Sequence, residues 1–429
     1  MPRLLPVPLV LATCLAVAFS SLSAASAAGP GRAPWVTAST TTSITLDWPG
    51  GSSGYRTFYA TSYSGVLTSS TAKKSAGSAV RITGLKPGQM YCFQTATGSG
   101  ANRSQRYCHS TMRHANRSSQ TRVGIATFNV CGVANGCRSW RPREDAVIAR
   151  IREARADVVA IQEGSSVLGR IARRLTAHGY ALASASSTEG VFYRTSKLAQ
   201  VTTSSTETVC EDETVPDEVD TSTWDTESGT HTDTDGVTWT YDGVEWAREV
   251  CEPVTTTTPV AGTFRLGGAA TATWARLRVK KTKKSYVFVS AHLTAGKSAG
   301  NARSRDGETR RLITKAKDEA NGVPIVFAGD FNSHRNRPND SPRLRFERAG
   351  YRDAYDRSAR YSKAYINSYN GYEKRPVRGV KYGDHVDHVF LHSRTGADSW
   401  AVVAPTRGGR NVTPIASDHN LVRVTALLP

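Results

Sequence analysis

"PIVFAGDFN", Pro324 to Asn332, is an apolar run that ends on a carboxylate and a carboxamide. On a strand, alternate residues share a face, so Asp330 and Asn332 project together from the strand end while Phe331 turns back into the core. That is half of a polar site. Asp and Asn also favour turns, and the following "NSHRNRPND" has loop composition, so a capped turn is the plainer reading of this stretch alone. Whether other apolar runs end the same way decides between the two.

They do. From Val123 onward the chain alternates between strand-like and helix-like segments. "VGIATFNV", "ADVVAIQE", "GVFYR", "YVFVSAHL", "VDHVFL" and "LVRVTALL" read as strands, while "REDAVIARIREAR", "VLGRIARRLTAHG" and "TRRLITKAKDEA" carry helical spacing. Asn129 lies in the first strand, Glu163 ends "VVAIQE", and His292 ends "YVFVSAHL". Asp387 opens "VDHVF", and Asp418 and His419 precede the last strand. Some of these residues follow their strands and others precede them, so mixed sheets with antiparallel neighbours are needed to gather them at one edge.

The ordered set N, QE, H, GDFN, D, SDH resembles the endonuclease/exonuclease/phosphatase family from about Val123 to Pro429. The resemblance implies a four-layer α/β sandwich, two stacked mixed β-sheets flanked by helices. It also implies a phosphodiester hydrolase. Such hydrolysis needs a cation against developing charge, a positioned water and a group that stabilises the leaving oxygen. The implied metal ligands are Glu163, Asp418 and Asn129, with Mg2+ expected and Mn2+ or Ca2+ as alternatives. Asp330 and Asn332 are expected to orient the water and a phosphate oxygen, His292 to act as general acid, and Asp387 to fix the tautomer of His419, a base or phosphate clamp. Asn129, Tyr193, Arg194, Asn332 and His419 are the expected phosphate-side residues, and Glu189, just before the "GVFYR" strand, is the one candidate for the glutamate that the resemblance implies as support for His292.

The rest of the 429-residue chain adds context. Residues 1–28 have a charged start, an apolar stretch and a small-residue "ASA", the pattern of a cleaved secretory signal, so a secreted, extracellular and monomeric protein is expected. No later segment offers the eighteen or so uninterrupted apolar residues of a membrane span. Beyond Cys14, six cysteines fall into local couples, and an even count outside the cell favours disulfides: Cys92 with Cys108, Cys131 with Cys137, Cys210 with Cys251.

Residues 34–111 hold short strand-like runs, and "SITLDW" followed by "GLKPGQMYCFQT" resembles a fibronectin type III β-sandwich, with Trp48, Leu85, Pro87, Gly88 and Tyr91 as its signature. Residues 112–122 read as a polar linker to the catalytic region 123–429. At about 203–261 the alternation gives way to an acidic, Thr-rich insertion, where fifteen acidic residues and one basic one lie between Ser205 and Pro253. "DGVTW" and "DGVEW" within it suggest a hairpin with Trp239 and Trp246 exposed or stacked, and "DTDG" at Asp233 reads as a turn. The formal net charge is +19 in spite of this segment, so the body of the protein suits a polyanion: an extracellular nuclease acting on nucleic acid is expected first, a phospholipid phosphodiesterase of the sphingomyelinase type whose Trp224, Trp239 and Trp246 enter a lipid surface second, and a non-catalytic surface-binding protein third.

Overall fold

The computed structural model describes residues 33–48, 56–73, 79–96, 103–115, 120–133, 136–216, 219–242, 244–338, 340–379 and 384–429. The expected signal segment lies outside them.

Two seven-stranded mixed sheets stack face to face in the C-terminal region. In the first, Thr121–Asn129 lies at the centre, parallel to Val158–Gln162 and antiparallel to Leu421–Leu428. In the second, Ile325–Asp330 is parallel to Ser285–His292 and antiparallel to Asp387–His392. Strands buried on both faces read as near-continuous apolar runs, and both "VVAIQ" and "IVFAGD" are buried at every position. Val158, Ala160, Val191, Phe288, Val326, Ala328, Val389 and Val424 fill the space between the sheets.

Helices Glu144–Ala154 and Leu168–Thr176 cover the outer face of the first sheet through Val147, Ile148, Ile151, Ile171 and Leu175. Helices Ala299–Ala320 and Ser341–Arg348 cover the second through Leu312, Ile313, Ala316 and Phe346. The four layers follow. Helix Ala299–Ala320 starts ten residues before the segment that spacing identifies, its N-cap Ser298 accepting the Asn301 N–H.

The N-terminal region forms two antiparallel sheets of three and four strands around Trp48, Leu85, Tyr91 and Phe93. All three expected disulfides are present. The acidic insertion is a long exposed hairpin arm, Thr202–Thr214 paired with Trp246–Pro259, in which β-branched Thr suits the pleat and both faces meet water. At its tip Trp239 and Trp246 are buried and Trp224 stacks on His231 with ring centroids 3.9 Å apart. Asp233 caps its own turn, accepting from Asp235 N, Val237 N and Trp239 Nε1.

The expected linker is held at its first residues, where Met112 N donates to Thr40 O and Arg113 N to Ser358 O. A buried polar interface lies beneath it. Arg335, from the loop after the GDFN strand, donates to Ser110 Oγ, to Asp356 Oδ1 at 2.5 Å and to Asp353 Oδ2 at 2.9 Å, while Asn336 Oδ1 accepts the Cys108 N–H. The His109 ring packs against Tyr355 and Tyr361.

Candidate active site

In the second sheet, cross-strand register places His292 beside Asp330 and Asp330 beside Asp387, so three neighbouring strands present one polar row. Gly329 permits the close approach, since a Cβ there would collide with the Ala291 carbonyl. The first sheet brings Asn129, Glu163 and His419 to the same edge. Gln162, just below, ties the sheets together: Thr127 Oγ1 donates to its Oε1 at 3.0 Å and its Nε2 donates to Ser290 Oγ at 2.9 Å.

Asn129 Nδ2 donates to Glu163 Oε1 at 2.8 Å and to Asp330 Oδ2 at 3.0 Å, so one amide spans two carboxylates from different sheets. His292 Nε2 lies 3.7 Å from each of those carboxylates and accepts from Asn332 Nδ2 at 3.1 Å. Asn332 N donates to Asp330 Oδ1 at 2.9 Å. His419 Nδ1 donates to Asp387 Oδ2 at 2.8 Å, which leaves Nε2 facing Asp330 Oδ2 at 3.6 Å. Burial alone would depress the His419 pKa, but Asp387 and then Asp330 outweigh it and hold the imidazole well above its ordinary value. Burial raises the Asp387 pKa, and the His419 charge works against that rise. Glu163 and Asn332 both sit at positive φ, 52° and 49°, a local strain that turns each side chain off its strand toward the edge.

The donor set fits a hard divalent cation. Glu163, His292 and Asp330 offer ligand atoms within 4.8 Å of one another, as do Asp330, Asp387 and His419. Glu163 keeps part of its carboxylate open to solvent, as an ion that retains waters requires. Asn129, expected among the ligands, turns its NH2 to the carboxylates while its Oδ1 accepts the Cys131 N–H at 3.0 Å. It is a spacer here. Asp418 stands in neither carboxylate cluster; its Oδ1 accepts from Ser417 Oγ at 3.1 Å and its carbonyl takes Asn370 N–H and Gly371 N–H.

Tyr193 and Arg194 are not at this edge. Their strand runs antiparallel to Val158–Gln162, with Gly190 opposite Ile161 and Tyr193 opposite Val158, so they lie at the far end, roughly 13 Å away by strand rise. Tyr193 packs against the inter-sheet core, and Arg194 reaches Tyr180 Oη at 2.7 Å. Glu189 is close but indirect: it accepts from Ser186, Thr188 and Thr271, and Thr271 is the cross-strand neighbour of His292.

Two supports escaped the sequence reading. Arg143, buried beneath the site, donates to the carbonyls of Val130, Cys131, Gly132 and Ala416, holding the loop that orients Asn129. Ser368 Oγ accepts the Val386 and Asp387 N–H groups at the start of the Asp387 strand. "CGVANGC" and "RPRED" offered no spacing that marks Arg143 as anything but a helix-start residue.

A family model described as the Endonuclease/Exonuclease/phosphatase family matches residues 126–419, a span that contains this whole edge. The chain belongs to the endonuclease/exonuclease/phosphatase family. Members of the family are typically metal-dependent phosphoesterases or nucleases. Similar solved structures include an endonuclease/exonuclease/phosphatase from Bacteroides vulgatus, 22% identical, covering 72% of this chain and 100% of that one with TM-score 0.45. The human Nocturnin catalytic domain with bound sulfate anion is 15% identical over 71% of this chain and 94% of its own, TM-score 0.42. D. rerio TDP2 complexed with single strand DNA product is 15% identical over 71% and 99%, TM-score 0.41. No curated protein matches the sequence.

Proposed function

We propose that this family member is an exported, Mg2+-dependent nuclease that hydrolyses phosphodiester bonds in nucleic acid. The observation that carries this reading is the bridge at the edge, where one Asn129 amide joins Glu163 to Asp330 with His292 and His419 on either side. Glu163 is the group to hold the ion, and a divalent ion bound there supplies positive charge against the phosphate oxygens. Asp330, its second oxygen fixed by Asn332 N, is placed to orient a water. Asn332 Nδ2 and His292 Nε2 face the same space, suited to the leaving oxygen and its proton. His419 serves as a base when neutral or clamps phosphate when charged, and Asp387 fixes its ring in either state.

Net charge +19 supports a polyanionic substrate. The leader-like start and three disulfides support export. Support for a fibronectin type III N-terminal module comes from its two antiparallel sheets, its buried Trp48 and a corner in which Tyr91 Oη accepts the Lys86 N–H at 2.8 Å. The lipid alternative loses its main argument, because Trp239 and Trp246 are packed against their own arm.

The test is purified protein incubated with plasmid, RNA, sphingomyelin and a phosphomonoester, each with Mg2+ and with chelator. Chelator-sensitive cleavage of plasmid or RNA is the expected result. Hydrolysis of sphingomyelin or the monoester alone would overturn the nuclease reading.

A further inference from the structure

A cleft of about 420 Å3 opens between the N-terminal module and the catalytic region, lined by Tyr63 and Gln105 on one side and by Lys297, Arg305, His334 and Arg337 on the other. Its cations are only partly compensated. Arg305 is almost fully buried, yet its Nη1 donates to the carbonyls of Thr294 and Gly296, both at 2.8 Å, and its Nε meets no partner among the described residues. Arg337, partly buried, donates from Nε to His334 Nε2 at 2.9 Å and from Nη1 to Asn332 O at 2.9 Å. Neither guanidinium has a carboxylate in ion-pair reach among the described residues, and Lys297 stands exposed at the mouth with none either.

Buried cations are ordinarily paired, because desolvation without a counter-charge is costly. The cost registers here: burial lowers the pKa of both guanidines, the Arg337 charge lowers that of Arg305 further, and the more distant carboxylates Asp340 and Asp330, with Glu308 for Arg305, offset only part of the fall. A bound anion would supply the missing charge in a setting that strengthens each contact. The cleft also touches the catalytic edge, since the carbonyl that Arg337 grips belongs to Asn332, whose amide reaches His292. Across from the cations stands an aromatic ring, Tyr63, whose carbonyl is held by Arg106. The Arg335, Asp356 and Asn336 contacts with Ser110 and Cys108 fix this module wall in place.

We propose that this cleft holds a polynucleotide strand where it continues past the scissile phosphate, with a neighbouring phosphate among Lys297, Arg305 and Arg337 and a base against the Tyr63 ring. The inference rests on the phosphodiesterase reading and gives the N-terminal module a share in the substrate surface. Phosphate contacts supply affinity that salt weakens, while stacking supplies contact indifferent to sequence. Both fit a cleft with cations on one wall and a ring on the other.

The experiment measures anisotropy of a labelled single-stranded DNA of about 12 nucleotides, with the full chain in chelator at two salt concentrations, beside turnover of that DNA and of bis(4-nitrophenyl) phosphate with Mg2+. Lys297→Glu is expected to weaken binding roughly tenfold and to flatten the salt slope by about one unit. Tyr63→Ala is expected to weaken it roughly fivefold or more with the slope retained, and Tyr63→Phe to restore it. In both weakened variants the ratio of kcat/KM for DNA to that for the small diester falls. Wild-type cleavage of DNA with unchanged affinity and ratio in both variants would overturn the cleft while leaving the nuclease reading intact. Wild type that cleaves neither diester would overturn both. Binding of anionic phospholipid vesicles through Lys297, without DNA binding, would also overturn it.

Discussion

Asp387 and His388 are adjacent on one strand and face opposite sides of it, and each belongs to a buried histidine–carboxylate pair of the same 2.8 Å length. On one side His419 spends Nδ1 on Asp387 and leaves Nε2 facing the edge. On the other, His388 spends both nitrogens, Nδ1 on Asp353 Oδ2 and Nε2 on the Ser333 carbonyl. Asp353 is equally committed, taking Arg335 Nη2 and the Tyr355 N–H as well. The chemistry of the pair is common to both. What would separate a reactive pair from a structural one is a nitrogen left without a hydrogen bond, here the one that faces the Asp330 carboxylate.

The two pairs should differ most in their effect on turnover. His419→Ala should lower kcat by roughly 1,000-fold. Adding Asp387→Asn should cost little more, because the histidine it orients is already gone. Single and double variants assayed on one diester check this; fully additive losses would mean that the two residues do not act as a unit.

His388→Gln should show the reverse, with turnover per folded molecule within a few-fold of wild type and stability reduced by about 3 kcal/mol, as for breaking a buried pair from one side. Its pH dependence sharpens the point. Burial would lower the His388 pKa, but the Asp353 carboxylate outweighs it and raises the pKa from 6.5 to about 9. A raised folded pKa contributes stability that is whole below about pH 6.5 and lost as pH climbs toward 9. His419, also raised, acts with the same sign, and Asp384, pushed to about 7 mainly by burial, adds to the slope only below that value. Urea unfolding of wild type should therefore show stability falling from pH 7 to 9, and His388→Gln should flatten this fall without abolishing it. An unchanged slope in the variant would contradict the assigned pairing.

The sequence disclosed one side of the comparison better than the other. Glu163, His292, Asp330, Asp387 and His419 each stand at a strand boundary, where alternation stops and a polar residue is out of place, so their convergence needed only the right sheet partners. The Arg335 network left no such trace. "NSHRNRPND" has the composition of a surface loop, yet Ser333 to Asn336 are buried, and the partners of Arg335 and Asn336, namely Ser110, Asp353, Asp356 and Asp384, come from elsewhere in the chain. Tyr193 and Arg194 were misplaced because composition does not reveal which end of a strand meets the site. Asn129 was recognised as a site residue, but the direction of its amide depends on Cys131 N–H, set by a loop that Arg143 holds from beneath. The insertion lost its alternation because an arm wet on both faces has no apolar side to alternate.

The edge where the GDFN strand ends is expected to work through an ion held by Glu163. Plasmid nicking by wild type and Glu163→Gln, with Mg2+ and with chelator, tests it most directly, since the substitution keeps size and removes the charge that binds the cation. Glu163→Gln is expected to lose roughly 100-fold or more with the melting temperature nearly unmoved, and chelator to reduce wild type to a comparable rate. Equal nicking by both proteins in Mg2+ would contradict it.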